Sequence, residues 1–153
     1  MTEEIETKKI KEQQIVDNIK AKLRSESASD EIFSNKLHGP IFEENSGVTR
    51  FILCSIEYSM HNSRENFNLW EKTQKDQFKW TIEHIFPQGL NIPDCWVQEI
   101  ANGNKDKAVE YQQSYVHKLG NLTLSAYNSK LFNYSFQDKK NKKDKDNKPI
   151  GYR

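Results

Sequence analysis

Residues 80–88 read Trp-Thr-Ile-Glu-His-Ile-Phe-Pro-Gln, and residues 119–124 read Leu-Gly-Asn-Leu-Thr-Leu. Each is a short β-prone run tied to a turn, and together they constrain the chain more than any other feature. Glu83 and His84 stand at the end of the first run, just before Pro87 forces the chain to turn. Asn121 enters the second run, and Asn128 follows it where a helix is expected to begin. A strand, a second strand and a helix would therefore deliver Glu-His, Asn and Asn to one place.

The surrounding sequence is helical in character. Residues 3–24 are rich in Glu, Lys and Gln, with Ile15, Val16, Ile19 and Leu23 at helical spacing. Asp30 is expected to cap a short helix over 31–37, which His38-Gly39-Pro40 ends. In 48–60 the apolar positions recur every three to four residues, through Phe51 or Ile52, Ser55 or Ile56, and Ser59 or Met60. That predicts the most buried helix of the protein. Residues 61–79 read as a connector, with local packing from Phe67, Trp70 and Phe78. The strands are placed at 80–83 and 122–124. Helices are expected over 94–100 and 106–117, Gly120 stopping the latter, and from Ala126 past Phe136. Residues 138–149 are Lys-, Asp- and Asn-rich and read as too polar to pack. The fold class is α+β, mainly helical, with one two-stranded element.

Composition narrows the function classes. Of 153 residues, 35% are hydrophobic and 29% charged, so a modest core with solvated ends is expected. Net charge is +1, which excludes a global basic field for nucleic acid. Charge is uneven, with seven basic and three acidic side chains in residues 137–153. Cys54 and Cys95 form no Cys-x-x-Cys pair, which argues against a zinc knuckle and for a reducing compartment. The N-terminus lacks the apolar core of a secretory signal, and no run is long enough to span a bilayer. A cytoplasmic protein without membrane association is the expectation.

Phosphodiester hydrolysis needs an activated water and a cation to absorb charge developing on phosphate. Glu83 and Asn128 offer the hard oxygens that suit Mg²⁺. Neutral His84 suits the general base. In a regular strand, Glu83 and His84 point to opposite faces, so a bend is expected at that step. Asn121 is placed to tie the connecting loop to the first strand. A histidine beside a glutamate is more commonly an ordinary hydrogen-bonded pair, and Asn121 and Asn128 could simply be cap or turn residues. It is their ordered combination that carries the reading. His117, near a helix C-terminus, reads first as structural and second as a substrate contact.

These motifs resemble the C-terminal, HNH-like nuclease domain of the GmrSD-type (modification-dependent, type IV) restriction endonucleases. The residues that carry the resemblance are Glu-His-Ile-Phe-Pro-Gln at 83–88, His-Lys-Leu-Gly-Asn-Leu-Thr-Leu at 117–124, and the run from Asn128 to Lys139. The first element is also similar to the HNH domain of RNA-guided CRISPR nucleases. An Arg-Phe-Ile-Leu-x-x-Ile-Glu helix, as at 50–57, accompanies the motif. The resemblance implies a ββα-metal (HNH/His-Me finger) core over about 80–136, with N-terminal helices packed on it. It also implies His84 as base, Asn121 as the middle residue of the triad, and Glu83 and Asn128 as ligands of one Mg²⁺ or Mn²⁺. Lys139 and Lys130 are implied as phosphate contacts.

The expected layout is a helical extension at 1–27, the nuclease domain at 28–140 and a Lys-rich tail at 141–153. DNA is the implied partner, including modified DNA such as glucosylated hydroxymethylcytosine DNA, in defence against phage. Family members carry an N-terminal ParB-like NTPase or sensor domain that is absent from these residues. No Walker-type loop occurs, so no NTP binding is expected. The alternatives are a catalytically silent nucleic-acid-binding module of the same fold and an HNH toxin-type nuclease.

Overall fold

The computed structural model describes residues 2–61 and 68–152, with side chains from residue 11 onward. It is α+β and mainly helical. The elements run α1 (Thr2–Glu26), α2 (Asp30–His38), α3 (Ile41–Glu44), α4 (Ser46–Met60), β1 (Thr81–His84), α5 (Asp94–Ala101), α6 (Lys105–Tyr115), a 3₁₀ turn (Leu119–Asn121), β2 (Leu122–Ser125), α7 (Asn128–Leu131) and α8 (Phe136–Asn141). The chain divides into two compact units, Met1–Asn35 and Lys36–Arg153, the division falling within α2. Phe67, part of the connector reading, lies outside the described residues.

In the first unit, α1 is built from strong helix formers. Its stripe of Ile15, Val16, Ile19 and Leu23 is exposed. Ser29, one residue before Asp30, caps α2: its hydroxyl accepts the Ile32 N–H at 3.3 Å.

The second unit is organised around an antiparallel pair of strands, with Thr81 opposite Ser125, Glu83 opposite Thr123 and His84 opposite Leu122. One face of the pair meets α3 and α4. Ile41, Leu53 and Leu122 form the buried centre there, with Phe42, Ile52, Ile82 and Leu124 packed against it. Asn45 caps α4, its side chain accepting the Val48 N–H. The buried side of α4 carries Thr49, Arg50, Leu53 and Cys54, whereas Phe51, Ile56 and Met60 are exposed. The face expected from apolar spacing is thus rotated, because the helix buries Thr49 and Arg50 with partners of their own. Thr49 Oγ1 donates to the Ile41 and Asn45 carbonyls, both at 2.9 Å. The Arg50 guanidinium donates to the Trp80 carbonyl at 2.6 Å and to the Leu69 carbonyl, and lies 3.7 Å from the Phe78 ring centre. It thereby fixes the chain just before β1.

A smaller cluster of Val97, Ala101 and Ala108 joins α5 to α6. Asn102, in the left-handed region at φ 49°, ends α5, and Gly103 follows at φ 86°. Helix α6 stops at Tyr115, and Gly120 sits in the 3₁₀ turn beyond it.

The single helix expected from Ala126 past Phe136 is two short ones. Phe132 takes φ 42°, which ends α7 after one turn, and Ser135 caps α8 by accepting the Asp138 N–H. The Trp96 indole donates to the Tyr134 carbonyl at 2.8 Å and pins the break. The tail also departs from expectation. Lys143 and Pro149 form a bridge, Ile150 is buried, and the Tyr152 amide donates to the Lys139 carbonyl. The few apolar groups in this stretch, rather than its average polarity, decide that it packs. Cys54 and Cys95 are both free thiols. Among the described residues, no helix is long and apolar enough to cross a membrane.

Candidate active site

Glu83 and His84 both lie within β1, so regular strand alternation sends them to opposite faces. No break occurs at the Glu-His step. The ladder runs through His84, and the Ile85 N–H continues it by donating to the Asn121 carbonyl at 2.9 Å.

On one face, Glu83 is 4% exposed and Lys139 1%. Lys139 Nζ donates to Glu83 Oε1 at 2.7 Å, to the His84 carbonyl at 2.9 Å and to the Ile85 carbonyl at 3.0 Å. Three donors meet three acceptors, so the ammonium is fully satisfied without water. Lys139 is therefore not the surface phosphate contact expected of it; the buried carboxylate and the carbonyls at the end of β1 hold it inside. The Tyr152 hydroxyl also donates to Glu83 Oε1, at 3.0 Å. Burial and the neighbouring carboxylate push the Tyr152 hydroxyl well above the usual phenol range.

On the other face, the His84 ring meets Phe42 edge-on at 4.7 Å between centres, and His117 at 5.4 Å. Phe42 stacks on His117 at 5.6 Å. His84 Nε2 and His117 Nδ1 are 3.4 Å apart, so one carries the proton and the other accepts it. Burial, helped by the charges of His117 and Lys139, lowers the His84 pKa from 6.5 to about 4. His84 is thus a neutral imidazole at neutral pH.

Asn121 uses its whole side chain to tie the loop after β1 to the end of α6. Its Oδ1 accepts the Phe86 N–H at 2.7 Å, while Nδ2 donates to the Phe86 and Val116 carbonyls at 3.1 and 2.9 Å. The buried Gln112 amide holds the next step by donating to the Pro87 and Gly89 carbonyls at 2.7 and 2.9 Å. Asn128 opens α7, with Nδ2 donating to the Ile82 carbonyl at 2.8 Å, so α7 docks on β1 beside Glu83. Lys130 is exposed, its ammonium 5.5 Å from the Tyr127 ring centre.

The structure thus gathers Glu83, His84, His117, Asn121 and Asn128 around the end of β1 and leaves Lys130 outside. Four residues of this neighbourhood were not singled out from sequence: Phe42, Gln112, Tyr152 and the supporting role of Arg50. A lone arginine directly before the apolar run 51–54 was a usable signal; nothing in the sequence marked the other three.

A mainly helical α+β domain, with a Glu-His strand end and an asparagine-clamped loop, is the class of site defined here. The chain belongs to the family of GmrSD restriction endonucleases, as their C-terminal domain, whose model matches residues 27–150. That places it among the nuclease domains of enzymes acting on DNA. No curated protein and no solved structure matches the chain.

Proposed function

We propose that this domain is a metal-dependent endonuclease of the HNH type, with the two strands and α7 as a ββα-metal core. The observation that carries the reading is the company kept at the end of β1: a fixed carboxylate and a neutral, packed imidazole on successive residues, with Asn121 and Asn128 bonded to the backbone beside them. Glu83 and Asn128 are the ligands in this reading. Both hydrogen bonds to the Glu83 carboxylate fall on Oε1, and Asn128 is engaged through Nδ2, which leaves Glu83 Oε2 and Asn128 Oδ1 as hard oxygen donors. Among the described residues, no group of three or more His, Cys, Asp or Glu side chains is arranged to hold a metal ion. A sparse oxygen set of this kind fits Mg²⁺ or Mn²⁺, which keep much of their water, better than zinc. When bound, the ion would supply charge stabilisation to the phosphate and the leaving oxygen.

The protein's own groups do the rest. With the proton on Nε2 donating to His117 Nδ1, the basic lone pair of His84 lies on Nδ1, where it takes the proton of the attacking water. Phe42 and His117 hold the ring in that orientation. Asn121 and Gln112 fix the 86–89 loop that follows, so the imidazole is carried on backbone tied down at both sides. Lys139 fixes the direction of the Glu83 carboxylate. The substrate in this reading is DNA, and family membership is the support for extending it to modified DNA and to defence against phage alongside a separate sensor domain.

The test is cleavage of supercoiled DNA, plain and glucosylated, with Mg²⁺ or Mn²⁺. His84→Ala is expected to lower the rate by about 10²–10⁴-fold, the usual contribution of a positioned general base. Cleavage undiminished in His84→Ala would remove His84 from the mechanism. A chain that binds no Mn²⁺ would remove Glu83 and Asn128 as ligands and favour a silent DNA-binding module.

A further inference from the structure

A cleft of about 690 Å³ opens beside the loop that Asn121 clamps. Its walls include Phe86, Tyr111, Tyr115, Lys118, Leu119 and Gly120. The volume falls within the range of roughly 300–1,000 Å³ typical of small-ligand sites. The walls also adjoin the catalytic residues along the chain, since Phe86 lies two positions after His84 and Lys118 directly follows His117.

We propose that this cleft receives an unstacked nucleobase of the DNA strand, with the phosphate of that nucleotide on Lys118; the inference rests on the nuclease reading above. Three observations favour this occupant. The rings of Tyr111 and Tyr115 stand 6.3 Å apart at 60°, which offers π-faces to a planar heterocycle. Tyrosine hydroxyls supply donors and acceptors for the base edge. Lys118 holds its ammonium 4.9 Å from the Tyr115 ring centre, so a cation stands beside the aromatic wall. An aliphatic side chain would use neither the cation nor the hydroxyls. A nucleotide uses all three, and it brings the negative charge that the near-neutral chain otherwise attracts only weakly.

Gly120 provides a clean way to close the cleft. A Cβ built there meets nothing within 4 Å, and its φ is not in the left-handed region, so the backbone accepts a side chain at this position without strain. Gly120→Leu should therefore fold normally and fill the space, and thermal unfolding checks this. Tyr111→Leu is the companion variant should Gly120→Leu fail to fold.

The experiment is photo-crosslinking of the full chain to duplex DNA carrying 5-iodouracil, with the adducts mapped by mass spectrometry and cleavage followed in parallel. Crosslinks at Tyr111 or Tyr115 are expected, and Gly120→Leu should abolish them. DNA binding should weaken by roughly five- to a hundredfold, the loss of one stacked base. Crosslinks mapping only elsewhere, or a Gly120→Leu protein that binds and crosslinks like wild type, would overturn the proposal. If His84-dependent cleavage persists in that case, the nuclease reading survives and the cleft alone is wrong. Crosslinks in the cleft without any His84-dependent cleavage would instead keep the nucleobase site and remove the nuclease. A chain that neither crosslinks nor cuts removes both.

Discussion

Glu83 and His84 are neighbours in one strand, and both are buried, yet they are held by different physics. Glu83 is fixed by charge-assisted hydrogen bonds from Lys139 and Tyr152, both supplied by the C-terminal stretch of the chain. His84 is fixed mainly by ring packing against Phe42 and His117, with one long contact of 3.4 Å. A metal ligand profits from the first arrangement, because direction matters and one oxygen remains for the ion. A general base profits from the second, because packing orients the ring without consuming its lone pair.

The largest expected effect comes from breaking the carboxylate face. Lys139→Met leaves Glu83 buried without its cation, along with two carbonyls, and should cost about 3–5 kcal/mol, the usual penalty for orphaning one partner of a buried pair. Urea unfolding of the single variant, compared with Glu83→Gln/Lys139→Met, checks the cause. The double variant should recover much of the loss, because the neutral amide no longer demands a cation. An equal loss in both would mean that Lys139 matters through packing alone.

Next comes the clamp that both faces share. Asn121→Ala leaves the Phe86 N–H and two carbonyls without partners, a loss of roughly 2–4 kcal/mol at ordinary costs for unsatisfied buried groups. Because the clamped loop follows directly on His84, whereas the Glu83 carboxylate is held by Lys139 and Tyr152, Mn²⁺ affinity should fall less than cleavage does. Comparing the two readouts shows which face depends more on the loop.

Much of this was legible in the sequence, and the reasons are local. The β-prone runs ending in Glu-His and beginning after Gly-Asn placed both strands to within a residue, because Pro87 and the 3₁₀ turn confine them. Asn121 was legible as a loop tie or as an ordinary cap or turn residue, and its amide holds the Phe86 step. What escaped was tertiary. The rotated face of α4 depends on where Arg50 finds carbonyls, which no periodicity reports. The break after α7 depends on Phe132 adopting a left-handed backbone that its side chain does not favour. Lys139 was noticed only as a phosphate contact and Tyr152 not at all, because the average polarity around them suggested solvent, whereas a few apolar groups and one ion pair bury the stretch. The nucleobase cleft had no sequence signature at all.

The imidazole face makes its own prediction through pH. Burial holds the His84 pKa at about 4 against 6.5 for an unperturbed imidazole, so the unfolded chain takes the proton first. Stability from this group is therefore complete above about pH 6.5 and is lost as pH falls from there towards 4. Urea midpoints measured at neutral pH and at pH 5 should differ for wild type and differ less for His84→Gln. Between pH 6.5 and 8 His84 stays neutral, so its protonation should impose no acid limb on cleavage in that range.

The smallest effect is the most discriminating for the carboxylate face. Tyr152→Phe removes one hydrogen bond to Glu83 Oε1 while keeping the ring against Phe136, whose centre is 6.2 Å away. The expected loss is about 1 kcal/mol, since Lys139 still satisfies the carboxylate. Urea unfolding should show a lower midpoint at unchanged slope, the sign of a stability change without a change in compactness. The Tyr152 hydrogen bond to Oε1 also draws negative charge away from the carboxylate, whose other oxygen is the one left for a metal. If the carboxylate is a ligand, the Phe variant should bind Mn²⁺ at least as tightly as wild type despite being less stable. Weaker Mn²⁺ binding would instead make Tyr152 a positioning residue for Glu83, and the two faces of β1 would then differ in degree of support and not in kind.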